Sequence, residues 1–373
     1  MSRVSLTFLW ETPARAIPVF SVFIPFFGCP RRCVFCSQHD QTGQQASPLD
    51  EILARAAADL HARRAQGRPP VELAFYGGTF TALAPRDLDA CLDMADSLRR
   101  DGCITRFRCS TRPDRLDAAL LARLRRHGCR TVELGIQSFS DTALQASERH
   151  YSGRQATEAC RLVRDAGLAL GVQLLPGMPG HQPEDFLADV RRALDLGADM
   201  LRFYPCLVLA GTELARRWQQ GLYAPWPLPR TLSLLARGWL YARRAGVPVI
   251  RMGLAPEPGM EAALLAGPAD RNLGGRVLGR ALWLHVCACL LRARGDDAAR
   301  SEVRAAALLD ALLAGGEAPA GLPRAQALYL PRSCQGFFRG PGDELGTAWA
   351  ALGITRRNLV WTAGQAASLH LDA

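Results

Sequence analysis

The stretch that decides the reading of this chain is Ile17-Pro18-Val19-Phe20-Ser21-Val22-Phe23-Ile24-Pro25-Phe26-Phe27-Gly28-Cys29-Pro30-Arg31-Arg32-Cys33-Val34-Phe35-Cys36-Ser37-Gln38. Residues 17–27 form an apolar run, rich in aromatic and β-branched side chains, which predicts a buried strand. From Gly28 to about Gly43 the composition changes to that of a loop, and this loop carries Cys29, Cys33 and Cys36.

Downstream the same rhythm repeats. Strand-like Val71–Tyr76, Thr105–Ser110, Thr131–Gln137, Leu168–Leu175 and Met200–Leu209 alternate with helical segments. These are Asp50–Arg64, Pro85–Arg100, Asp117–His127, Gly153–Ala166, Pro183–Leu196 and Thr231–Ala245, and Val247–Met252 reads as a last short strand. Six β-then-α units over residues 17–246 predict an α/β fold, a partial (β/α)6 TIM-type barrel of parallel strands open at its edges. The chemistry-bearing residues all fall just after strands, where barrels build their sites: Cys29–Cys36, Gly77–Thr79, Ser110–Arg112, Gln137 and Gly177–Gly180. Residues 1–16 read as an N-terminal segment and 17–256 as the core. Residues 257–373, Ala-rich with Gly/Pro breaks and little strand alternation, read as a small, mostly helical C-terminal extension.

The cysteine spacing C-x3-C-x2-C has its own chemistry. Three thiolates hold three irons of a [4Fe–4S] cubane and leave the fourth open to an exogenous chelate. The amino-carboxylate end of S-adenosylmethionine (SAM) suits that vacancy. Two other readings stay open at this point. One is a structural zinc site, for which His39 is the near candidate for the fourth ligand. The other is a set of three buried thiols.

Composition narrows the function classes. All 45 basic residues are arginine, so a lysine nucleophile or Schiff base is excluded. The formal charge of +10 suits an anionic partner, RNA included, although Arg-rich runs also mark solvated helix faces. Twelve cysteines lie scattered in a 373-residue chain whose start lacks a signal-peptide pattern. The expectation is a cytoplasmic protein in a reducing compartment, with no membrane partner. Cys206 is expected near the barrel mouth as a core residue, and Cys287 and Cys289 as small buried hydrophobes.

Taken together, these motifs resemble the radical SAM superfamily. The turn Gly77-Gly78-Thr79 is similar to that family's glycine turn, with Thr79 in place of the commoner Glu. Tyr76–Phe80, Ser110–Asp114, Glu133–Ser138, Arg149-His150, Gly177–Gly180, Tyr204–Cys206 and Gly211–Leu214 together resemble the radical SAM half of the Elongator catalytic subunit. More loosely, they resemble oxygen-independent coproporphyrinogen III oxidases.

The resemblance implies an enzyme that cleaves SAM reductively to a 5′-deoxyadenosyl radical. It implies an external electron donor such as flavodoxin or ferredoxin, and a substrate that is an RNA nucleoside or a small metabolite. Carried over residue by residue, it places Gly77, Gly78 and Thr79 at the SAM amino group, and Gln137 and Gln173 at its ribose or sulfonium. Arg149 falls at the SAM carboxylate, and Gly177 to Gly180 beside the adenine. Arg112 is a further candidate for a carboxylate, of substrate or of SAM.

Two departures weaken a tRNA assignment. The acetyltransferase pattern is met only by Arg276-Val277-Leu278-Gly279-Arg280-Ala281 with no alternating strand before it, and no basic arm precedes the first strand. The rival reading from another class is a non-catalytic Fe–S electron carrier or sensor; a zinc-stabilised RNA-binding module is a third.

Overall fold

The computed structural model describes residues 4–9, 17–38, 47–254, 258–319, 322, 324–364 and 366–371. His39 therefore lies outside the described residues. The chain divides into two compact units, one of residues 15–231 and 241–271, the other of residues 1–14, 232–240 and 272–373.

Strands are numbered along the chain. The N-terminal strand β1 (Val4–Leu9) belongs to the second unit. The first unit is built on β2 (Val19–Phe23), β3 (Val71–Tyr76), β4 (Ile104–Thr111), β5 (Cys129–Gln137), β6 (Ala169–Leu174) and β7 (Met200–Phe203). A two-residue strand β8 (Val208–Leu209) follows, and then β9 (Val249–Met252). Seven of these form one sheet in the order β2-β3-β4-β5-β6-β7-β9, and every neighbouring pair is parallel. Strands adjacent in sequence are adjacent in the sheet, so the chain winds steadily in one direction and curls the sheet into a half-barrel. The predicted (β/α) units are all present, and the short strand predicted at 247–252 closes the series as β9.

Period-two alternation separates the two faces of these strands. Leu73, Phe75, Phe107, Cys109, Val132, Leu134, Leu170, Val172, Leu201 and Phe203 are fully buried. Phe75 stacks on Phe80 at 4.8 Å and meets Phe107 edge-on, while Phe186 from the helix Pro183–Asp195 meets Phe203 edge-on at 5.2 Å. The alternate residues face the hollow of the half-barrel: Tyr76, Arg106, Arg108, Gln173 and Arg202 line it.

The strand expected at Met200–Leu209 does not run its full length. It stops at Phe203, because Pro205 has no N–H to continue the ladder. Val208–Leu209 instead pairs antiparallel with β10 (Leu264–Ala266).

The second unit centres on the helix Leu273–Ala293, with Val277, Trp283, Val286 and Cys287 fully buried. By length and composition this helix could cross a membrane, but 67% of its apolar window is buried in the structure, as in a core helix. Cys289 beside it is only partly buried. Helices dominate the C-terminal region as expected. A four-stranded sheet joins them, which the Ala-rich sequence had not announced: β11 (Ala325–Pro331), β12 (Leu359–Thr362) and β13 (Ala366–Leu371) with β1, in the order β1-β13-β11-β12. The segment Arg276–Ala281 lies inside the helix Leu273–Ala293, and both of its guanidinium groups pair with Glu344.

Candidate active site

The cysteine loop and the turn after β3 are locked together by their backbones. Ile24 N donates to Tyr76 O at 2.8 Å and Thr79 N donates to Phe27 O at 2.7 Å. Gln38 Oε1 accepts from both Phe26 N, at 2.6 Å, and Gly78 N, at 2.8 Å. Such an approach requires glycine on each side. A Cβ on Gly28 would sit 2.3 Å from Thr79 O, a Cβ on Gly78 would sit 2.2 Å from Phe27 O, and both residues have positive φ. The result is a hydrogen-bond distance of 3.4 Å between Cys29 Sγ and Thr79 Oγ1. On the other side, Leu214 N, at the start of the helix Glu213–Gln219, donates to Val34 O at 2.8 Å.

Two guanidinium groups converge on Cys33. Arg149 Nη1 lies 2.9 Å from its Sγ and Arg112 Nη1 lies 3.7 Å away. Arg149 is 4% exposed; its Nη2 donates to Gly135 O at 2.7 Å and its Nε to Tyr151 Oη at 3.0 Å. Arg112 is braced by a two-pronged contact with Asp114, and its Nη2 donates to Arg149 O at 2.6 Å. Burial, and next the neighbouring Cys33, push the Cys36 thiol up to about 12, and burial also raises Cys29. Metal binding is what would deprotonate thiols so placed.

The donor set fits an iron–sulfur cluster better than a single ion. Among the described residues, no three His, Cys, Asp or Glu side chains gather as a bound metal ion requires. A cubane spreads its thiolates over three irons. The three thiols line one cavity, and the guanidinium groups on Cys33 are the charge-assisted donors that a thiolate ligand accepts.

That cavity, about 1110 Å³, runs from the cysteine loop down the inner face of the strands. Gly77, Gly78, Thr79, Gln137, Arg149 and Gln173 all line it, with Arg112 and Cys206. Gln137 holds a left-handed backbone (φ 65°), a conformation that costs energy for a side chain other than glycine. Gly177 and Gly180 are not among the lining residues. Their loop is held by structure of its own: Gly177 N donates to His181 Nδ1, Tyr223 Oη donates to Gly177 O, and His181 stacks on Trp226 and pairs with buried Asp189.

Below the loop lies a charged layer that the motif reading passed over. Glu72 and Glu133, each 1% exposed, are shared among Arg106, Arg108 and Arg202. Tyr76 Oη donates to Glu133 Oε1 at 2.8 Å and accepts from Arg202 Nη2 at 2.6 Å, while Gln173 Nε2 donates to Glu133 Oε2 at 3.2 Å. Burial raises the Glu133 carboxyl, but Arg202, Tyr76 and Arg108 outweigh it and hold the carboxyl below its ordinary 4.5. The signal was available in Val71-Glu72-Leu73, Arg106-Phe107-Arg108 and Leu201-Arg202-Phe203, where charge alternates with core residues inside strands that should be buried on both faces.

Comparison with known proteins agrees with this geometry. The radical SAM superfamily profile matches residues 23–193, and that of the radical SAM C-terminal domain matches residues 198–280. A tRNA uridine(34) acetyltransferase of Dehalococcoides mccartyi is 30% identical over 269 residues, covering 63% of this chain and 57% of that protein. A heme chaperone HemW of Mycobacterium tuberculosis is 30% identical over 232 residues, covering 60% of this chain and 58% of its own. This chain thus spans little more than half the length of the curated relatives it matches. Among solved structures, Elp3 of Methanocaldococcus infernus, with residues 1–46 deleted, shares the fold. Its TM-score is 0.54 at 23% identity, covering 70% of this chain and 62% of that one.

Proposed function

We propose that this chain, a member of the radical SAM superfamily, is an enzyme of that class in which Cys29, Cys33 and Cys36 hold a [4Fe–4S] cluster with which it cleaves SAM. Held by Cys29, Cys33 and Cys36, such a cluster would supply the single electron for reductive cleavage of the sulfonium C–S bond, the chemistry by which a 5′-deoxyadenosyl radical would be made to abstract hydrogen from the substrate. The observation that carries this reading is the convergence of Arg149 and Arg112 on the sulfur of Cys33, at the head of a cavity deep enough for a nucleoside and a substrate.

The chain's own residues bind and orient. The backbone of Gly77, Gly78 and Thr79 would meet the SAM amino group, and Gln137 and Gln173 would offer hydrogen bonds to its ribose or a carbonyl dipole to its sulfonium. Arg149 acts at Cys33 Sγ, where its charge offsets that of the thiolate. Pairing with the SAM carboxylate would require either guanidinium group to give up a protein contact, since all three nitrogens of Arg149 and of Arg112 are engaged. The catalytic core is residues 17–256, within which every residue lining the cavity falls. The electron comes from an external donor, flavodoxin or ferredoxin, in the reducing cytoplasm that free thiols require. The substrate is an RNA nucleoside or a small metabolite; the tRNA uridine(34) acetyltransferase among the relatives supports the first.

Anaerobic reconstitution tests the proposal. The protein should take up about four irons per chain and, with dithionite and SAM, release 5′-deoxyadenosine. Protein that carries the cluster yet never releases the nucleoside sinks the proposal and leaves an Fe–S electron carrier. Zinc without iron points instead to a structural site.

A further inference from the structure

Among the described residues, the wall of the cavity contains eight arginines, namely Arg31, Arg32, Arg106, Arg108, Arg112, Arg149, Arg202 and Arg251, and no Asp, Glu or His. Five of them have counter-charges. Arg106, Arg108 and Arg202 share Glu72 and Glu133, Arg112 has Asp114, and Arg149 has Cys33. Three arginines over two carboxylates still leave that layer positive. Arg31, Arg32 and Arg251 are exposed to the cavity and form no salt bridge with any described residue; Arg32 lies over the Phe26 ring at 4.5 Å, and Arg251 Nε donates only to Gly253 O.

Elsewhere on the first unit the exposed arginines divide: Arg99, Arg164, Arg216 and Arg271 each pair with a carboxylate, whereas Arg55, Arg86, Arg126 and Arg161 form no salt bridge with a described residue. What sets the arginines of the wall apart is that they line one bounded cavity.

We propose that the substrate of this site is a small organic anion, bearing phosphate or carboxylate groups, that Arg31, Arg32 and Arg251 grip in the cavity. This rests on the radical SAM reading above and names the substrate class for the same site. A guanidinium group is a strong two-pronged donor to either kind of oxyanion. A bounded cavity of about 1110 Å³ suits a small ligand better than a long nucleic acid.

The test uses holo-protein loaded with SAM and titrated calorimetrically at low salt with pyrophosphate and, separately, with citrate, which distinguishes phosphate from carboxylate. At least one of them should bind. Arg251→Gln and the double substitution Arg31→Gln/Arg32→Gln should each weaken that anion about tenfold, the loss expected for a charge-assisted contact. Arg154→Gln, on an exposed helix outside the cavity, should change nothing.

Holo-protein that releases 5′-deoxyadenosine yet binds neither anion overturns the proposal and leaves the radical reading standing. Protein that binds an anion in the expected arginine-dependent way but never cleaves SAM supports the anion site and removes the reading beneath it. Binding indifferent to the cavity substitutions also overturns the proposal. So does a tRNA transcript that binds more tightly than either probe, with a steep salt dependence of about three or more released ions.

Discussion

The two faces of the same seven strands are built on opposite principles. The outer face, with Leu73, Phe75, Phe107, Val132 and Phe203 at 0% exposure, is an ordinary apolar core packed against helices. The inner face places Glu72, Arg108, Glu133 and Arg202 at comparable depth, tied by ion pairs of 2.5 to 3.2 Å. Burying such charges costs several kcal/mol per ion before their attraction returns it, and well-packed apolar residues of similar volume do at least as well. The outer face therefore accounts for stability. The inner face adds little to stability, and its polar groups line the cavity directly below the cysteine loop.

This contrast can be broken in graded steps. The largest effect is expected at the loop that caps the inner face. Cys33→Ala should reduce iron content to background and abolish 5′-deoxyadenosine release, measured by iron assay and chromatography; retained cluster would remove Cys33 from the ligand set. Next comes the outer face. Phe75→Ala should lower unfolding stability by about 3–5 kcal/mol in denaturant titrations, the cost of an aromatic-sized cavity.

Glu133→Gln should cost about 3 kcal/mol at neutral pH, because Arg108 and Arg202 are left buried with too little negative charge. Its pH dependence separates the two faces. The Glu133 carboxyl is held below 4.5 in the folded protein, so its contribution is complete above that pH and is lost as pH falls through the depressed value. The gap between wild type and Glu133→Gln should narrow on acidification, whereas the gap for Phe75→Ala should not follow that titration.

Smaller effects test how closely the inner layer is fitted. A Cβ on Gly171 would lie 2.8 Å from Glu133 Cγ, so Gly171→Ala should displace the carboxylate and cost about 1–2 kcal/mol. Gln173→Ala removes one hydrogen bond to Glu133 and should cost about 1 kcal/mol by the same titration, with iron content unchanged.

Much of this was legible in the amino-acid order. The alternation of β and α segments predicts a parallel sheet because period two and period 3.6 place apolar side chains differently. The spacing Cys29-x3-Cys33-x2-Cys36 is local, so its chemistry can be read from one loop. The break at Pro205 was also local and could have been read from the missing N–H. The strands β11 to β13 were hidden because each is only four to seven residues long, too short for its alternation to be told from a helical pattern.

What tertiary structure alone decided is which distant residues meet. Arg149 reaches Cys33 across 116 positions, Arg202 reaches Tyr76 across 126, and Gly177 packs close to Trp226. Backbone propensity acts over a few residues, whereas an ion pair depends only on distance in space. The elements and the cysteine chemistry therefore belong to the chain as written. The charge network, and the anion-seeking hollow it forms, exist only once the strands lie side by side.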